Sequence, residues 1–194
     1  MGGVRERLPA GPAGRPGPDR RGEPLMPSSY VVREAVDPAD REACFAVRKD
    51  VFVVEQRVPQ EIEYDRYDAT AVHLLAIRAD GLPLGTGRLL HGADAAGKTG
   101  GESGVGSLGR LAVSKAARGL GVGAALVRAI EEAARARGLT AVDLHAQTQA
   151  LGFYERLGYA AYGPEFPDAG IPHRAMRRTL QSPRPAPSVT GVAR

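Results

Sequence analysis

Tryptophan is absent from this chain, phenylalanine occurs four times and cysteine once. The lone thiol, Cys44, excludes an intrachain disulfide framework and any multi-cysteine zinc site, and it fits a reducing cytoplasm. Cys44 lies beside Phe45 on an amphipathic helical pattern, where a small buried hydrophobe is expected rather than a nucleophile. The four histidines are scattered without ligand spacing, so no metal is expected. No apolar run approaches the roughly 18 residues of a membrane span. The Arg-, Pro- and Gly-rich start lacks the apolar stretch of a secretory signal. The expectation is a cytoplasmic protein with no membrane partner.

Net charge is +4, which invites a nucleic-acid reading. The placement of the charge argues against it. Residues 1–29 carry five Arg against three acids, and 183–194 carry two Arg and no acid. Residues 30–182 balance at 19 against 19, and the few aromatics build no basic, aromatic-rich strand, so no nucleic-acid partner is expected. The length suits one domain over 30–182 with its own core. The flanking segments 1–29 and 183–194, rich in Pro, Gly, Ala and Ser, are expected to be disordered tails.

Within 30–182 a strand is expected over Tyr30–Ala35. Asp37-Pro38 starts a helix, with a capping carboxylate and a proline at its first position, running to about Phe52. Val53–Asp68 reads as irregular, with at most a short helix. Ala71–Arg78 and Leu82–His91 flank Asp80-Gly81, a strong hairpin signal. Gly92–Gly106 reads as a flexible glycine-rich loop before a strand ending at Val113. The next helix carries Leu126, Val127, Ile130, Ala133 and Ala134 on one face and closes at Gly138. Leu139–Ala146 is a strand, Gln149–Leu157 a helix, and Tyr159–Tyr162 and Arg174–Leu180 are short final strands. This alternation implies an α/β fold, a mixed central sheet flanked by helices.

Two phosphate-binding patterns occur. Gly92–Thr99 fits G-x-x-x-x-G-K-[ST] at every fixed position and would suggest a P-loop nucleotide triphosphatase. That motif works only where its Lys-Thr pair opens a helix. The glycines from Gly100 onward argue against one, so Lys98 is expected to play no part. In contrast, Arg118-Gly119-Leu120-Gly121-Val122-Gly123 lies between a strand and a strong helix, where a glycine-rich entry aims free N–H groups at an anion.

The Arg-x-x-Gly-x-Gly pattern resembles the acyl-CoA signature of the GNAT superfamily. Further stretches resemble its ElaA-like (YjcF-like) branch: Val51–Gln56, Gly85–Leu89, Gly109–Val113, Leu144–Gln147, Phe153–Tyr159 and Gly170–His173. The resemblance spans roughly 30 to 180 and implies the GNAT acyl-CoA N-acyltransferase fold. It implies an N-acetyltransferase that passes an acetyl group from acetyl-CoA to an amine acceptor by direct attack, a small molecule or a peptide. A non-catalytic CoA-binding module is the other reading.

Carried over by position, the amides of Arg118, Gly119, Leu120, Gly121, Val122 and Gly123 would hold the pyrophosphate. Leu111, Ala112 and Val113 would offer backbone groups to pantetheine, with the Val113 N–H polarising the thioester, and Gln147 would touch the cofactor. Tyr154 matches the family's general acid, and Phe153 is the expected core neighbour. For the base, Glu55 and Gln56 lead, followed by Glu63, Asp65, His73 and His173. His73 also reads as a core histidine. Nothing in the sequence names the amine, and a homodimer stays open.

Overall fold

A computed structural model describes residues 29–180; both expected disordered tails lie outside the described residues. Seven strands form one sheet: β1 (Tyr30–Glu34), β2 (Val72–Arg78), β3 (Pro83–Leu90), β4 (Val105–Val113), β5 (Ala141–Gln147), β6 (Ala160–Asp168) and β7 (Ile171–Thr179). Their order is β1-β2-β3-β4-β5-β7-β6. Only β4 and β5 run parallel. Helices α1 (Pro38–Arg48), α2 (Gln60–Glu63), α3 (Ala93–Thr99), α4 (Val122–Ala136) and α5 (Leu151–Arg156) complete the domain. Among the described residues no helix is long and apolar enough to cross a membrane.

Local signals explain most starts and stops. Asp40 N–H donates to the Asp37 side chain at 2.8 Å, with Pro38 opening α1. Gly81, at φ 88°, turns β2 into β3. The apolar face of α4 is fully used: Leu126, Val127 and Ile130 pack against Leu74, Leu108 and Leu144. On the opposite face of the sheet, Cys44 is buried against Ala35 and Leu75, as a core thiol should be.

Three expectations need correction. First, α1 ends at Arg48 and widens into a π-helical stretch, Lys49–Glu55, through the β-branched Val51, Val53 and Val54, which crowd an α-turn. Second, Gly92–Gly106 is not a flexible loop throughout. Gly92 (φ 58°) and Gly100 (φ 68°) bound α3, so the glycines cap a helix rather than prevent one. Lys98 and Thr99 close that helix and do not open it, which removes the P-loop geometry. Third, β6 and β7 are longer than expected and meet at Ala169-Gly170. Pro164 and Pro167 fit within β6 because it is an edge strand and can lack N–H donors on its outer side.

The sheet contains one discontinuity. Val105–Leu108 pair with Ala141–Leu144 and the pairing then stops. Past that point β4 stays on β3 as far as Val113, and β5 stays on β7 as far as Gln147. The two strands therefore part. Between Gly109 and Ala112 the β3–β4 register shifts, and Arg110 there adopts φ 52°. This is a bulge that bends β4 away from β5.

Candidate active site

The parting of β4 and β5 opens a cavity of about 250 Å³. Gly109 and Leu111 line it from β4, His145 and Gln147 from β5, and Tyr154 from α5. Ser114 N–H donates to Leu84 O at 2.9 Å, and Ala112 sits opposite Thr86. Backbone groups alternate along a strand, so Ala112 faces β3 while Leu111 and Val113 turn their N–H and C=O toward the gap. Ala112 is thus engaged by the sheet and is not a backbone partner for pantetheine. The Val113 carbonyl already accepts from Arg118 Nε at 3.2 Å.

Beyond β4 the chain enters α4 through the glycine-rich hexapeptide. Gly119 and Gly121 adopt φ 81° and 78°, which a side chain would strain. The first hydrogen bond of α4 runs from Ala125 N–H to Gly121 O at 3.0 Å. Among the described residues, the N–H groups of Gly119, Gly121, Val122 and Gly123 have no backbone acceptor outside the helix. Those of Arg118 and Leu120 turn back to Lys115 O and Ala117 O at 3.4 Å, so four of the six expected amides point outward unengaged. Four such donors at the positive end of a 15-residue helix form an anion cradle.

Tyr154 is 8% exposed and packs edge-on against Phe153 and Tyr159 at 4.9 and 5.9 Å. Its hydroxyl has no hydrogen-bond partner among the described residues, and burial pushes the phenol well above its ordinary pKa. Phe153 is the less buried of the two. It sits beneath the cradle, where a Cβ added at Gly123 would meet its Cζ at 3.4 Å.

The expected bases separate clearly. Glu55 does not border the cavity; Arg118 takes both of its oxygens at 2.7 Å and holds the carboxyl below its usual range. His73 is a core histidine, its Nε2–H donating to Asp68 O at 2.9 Å while burial depresses its pKa. Glu63 borders the cavity, but Arg48 and Arg110 occupy its oxygens at 2.5 and 3.0 Å. Asp65 is spent on Arg88 and Arg110.

His173 differs. Its Nδ1 lies 2.8 Å from the Ile171 carbonyl, and a carbonyl only accepts, so Nδ1 carries a proton and, in the neutral imidazole, Nε2 has the lone pair. The β5–β7 register sets His173 opposite Gln147, and both border the cavity. Gln147 also accepts from Gln149 at 2.7 Å and donates to Gln56 at 3.3 Å, tying β5 to the π-helical stretch.

Sequence reasoning missed three arginines and a lysine. Arg48, 1% exposed, binds Glu63 and Asp68; Arg88 and Arg110 complete a cluster of three cations and three acids beneath the cavity. Arg88, inside an apolar strand, was the available signal, because a buried guanidinium requires acids from elsewhere in the chain. Lys98, expected to play no part, borders the cavity, as do His145 and Asp168.

Residues 35–180 match a family model described as an acetyltransferase (GNAT) domain. The chain is 38% identical over 135 residues to the Bacillus subtilis (strain 168) N-acetyltransferase YjcF, itself uncharacterized, covering 69% of this chain and 89% of that one. Among solved structures, an acyl-CoA N-acyltransferase from Pseudomonas aeruginosa superposes with a TM-score of 0.65 at 33% identity, covering 77% of this chain and 98% of that one. Escherichia coli ElaA gives 0.64 at 26% identity, with coverage of 77% and 98%.

Proposed function

The chain belongs to the GNAT acetyltransferase family, and we propose that it transfers an acetyl group from acetyl-CoA to an amine by direct attack on the thioester. The observation that supports this most is the gap between β4 and β5, on the half of β4 that leads into the unengaged amides of Gly119, Gly121, Val122 and Gly123. Acetyl-CoA supplies the activated acyl thioester; the chain binds, orients and moves protons. The four amides hold the pyrophosphate. Leu111 and Val113 offer strand-edge groups to the pantetheine arm, as to an added strand. Leu111 borders the cavity and Val113 does not, so the Leu111 N–H replaces Val113 as the donor that polarises the thioester carbonyl.

Tyr154 keeps its proton at neutral pH and gives it to the departing thiolate. The Nε2 lone pair of His173 takes the proton that the ammonium must lose before attack, directly or through water. Arg118 and Glu55 together tether the cradle to the π-helical stretch.

Calorimetry with acetyl-CoA on wild type and on Gly121→Glu tests the binding half, with thermal melts confirming that both are folded. Wild type should bind and the variant should not; equal binding, or none by wild type, sinks the reading. Release of free CoA with a panel of amines tests the transfer half. Binding without release from any amine favours a non-catalytic CoA-binding module.

A further inference from the structure

Gly92–Thr99, the segment that imitates a phosphate loop, has no part in the acyl-transfer chemistry above. In the fold it is α3, and its placement is firm. Ala95 (1% exposed) packs with Ala71 and Leu90, Thr99 is also buried, and Thr70 Oγ1 donates to Asp94 at 2.6 Å. With those positions fixed inward, Lys98 in the last turn faces the cavity, sharing its wall with Ser107, His145 and Asp168.

Three cations border this cavity: Arg88, Lys98 and Arg110. Arg88 and Arg110 are both paired with Asp65. Lys98 enters no ion pair among the described residues. A flexible ammonium with no internal partner is free to meet an anion brought by a ligand.

The cofactor's phosphates are poorly placed to be that anion. Ser107, on the Lys98 side, pairs with Leu90 and with Asp143, where β4 and β5 are still joined. The cradle follows the opposite end of β4, beyond Val113. At about 3.3 Å per residue, the strand between Ser107 and Val113 spans roughly 20 Å. Leu111 lies between the two ends, so Lys98 stands on the acceptor's side of the proposed reaction centre. Asp168, in the β6–β7 hairpin that also carries His173, supplies a negative charge on the same cavity.

We infer that Lys98 binds a carboxylate on the acceptor, so that the amine acetylated here belongs to an amino-acid-like molecule with both an amine and a carboxylate. This rests on the acetyltransferase reading. Lys98 forms a charge pair with the carboxylate, and Asp168 and His173 face the amine end. An acceptor carrying positive charge alone meets repulsion at Lys98 and forms no charge pair with it.

Turnover of matched acceptors tests this: alanine, 4-aminobutyrate and 6-aminohexanoate against ethylamine, propylamine and pentylamine, with acetyl-CoA as donor. In at least one pair the carboxylated member should show about tenfold or greater kcat/KM, the size of one formed charge pair. Lys98→Ala should remove that preference, Lys98→Arg should keep it, and both should bind acetyl-CoA as wild type does. Equal or better use of the plain amine in every pair overturns the inference, as does a preference that survives Lys98→Ala. Acetyl-CoA binding with turnover of no pair overturns it too. Failure of wild type to bind acetyl-CoA is a separate outcome that sinks the acetyltransferase reading and this inference together.

Discussion

Arg118 grips both carboxylate oxygens of Glu55, Nη1 to Oε1 and Nη2 to Oε2, at 2.7 Å each. The same guanidinium donates from Nε to the Val113 carbonyl. One side chain therefore ties the π-helical stretch, the end of β4 and the entry to α4 together. Glu55 does not border the cavity and spends both oxygens on Arg118, which argues for a positioning role. Glu55→Gln should leave kcat close to wild type and raise the KM for acetyl-CoA, because the cradle loses a tether. A kcat loss of roughly a hundredfold, the scale of a missing general base, would restore Glu55 to that role.

Tyr154→Phe separates packing from chemistry. The ring contacts with Phe153 and Tyr159 survive, and the hydroxyl has no partner to lose, so the melting temperature should stay near wild type. Turnover should fall by about 10²-fold or more if the phenol supplies the leaving group's proton, with acetyl-CoA affinity retained. Unchanged turnover would assign Tyr154 to the core alone.

His173→Gln removes the Nε2 lone pair while keeping a side chain of similar reach. At neutral pH kcat/KM should drop by roughly 10²-fold, with acetyl-CoA affinity retained. Full activity in the variant would mean that another group, or water alone, accepts the proton.

The ion cluster beneath the cavity gives a stability prediction with a defined sign. Burial alone would raise the Asp68 carboxyl, but the hydrogen bonds and charges of Arg48 and Arg88 outweigh it and hold the pKa at about 2. A carboxyl lowered on folding contributes stability above its unfolded pKa of about 3.9, and that contribution is lost as pH falls toward the folded value. Asp68→Asn should therefore lower the urea midpoint at pH 7. The gap to wild type should narrow between about pH 4 and pH 2. Glu63 opposes this trend, since burial pushes its carboxyl up despite Arg48 and Arg110. A gap that stays constant with pH would show that Asp68 acts through packing rather than charge.

Arg48→Met removes the most buried cation of the cluster and leaves Glu63 and Asp68 partly uncompensated. A loss of about 3–5 kcal/mol in unfolding free energy is expected. A loss well below that range would mean that Arg88 and Arg110 suffice to neutralise the acids.

Much of this molecule was readable without coordinates, for a reason that differs from feature to feature. Asp37-Pro38, Asp80-Gly81 and the apolar face of α4 act over three or four residues, through a cap, a turn and a helical period, and each formed where expected. The hexapeptide, too, is a local device: positive-φ glycines before a helix leave amides free whatever surrounds them. The ordered motifs carried the family, confirmed by the match over residues 35–180.

What the tertiary structure decided is what depends on distant partners. The parting of β4 from β5 is a pairing event between residues about 36 apart in the chain. Ala93–Thr99 became a helix because Ala95 and Thr99 found buried sites, outweighing the weak helix propensity of Gly97. Glu55 led His173 as the expected base; a guanidinium 63 residues away removed the first, and a carbonyl two residues away oriented the second. Lys98 was dismissed by its motif and recovered by its neighbours. Backbone conformation follows from nearby residues, whereas the charge, exposure and free lone pairs of a side chain are set by whatever the rest of the chain folds against it.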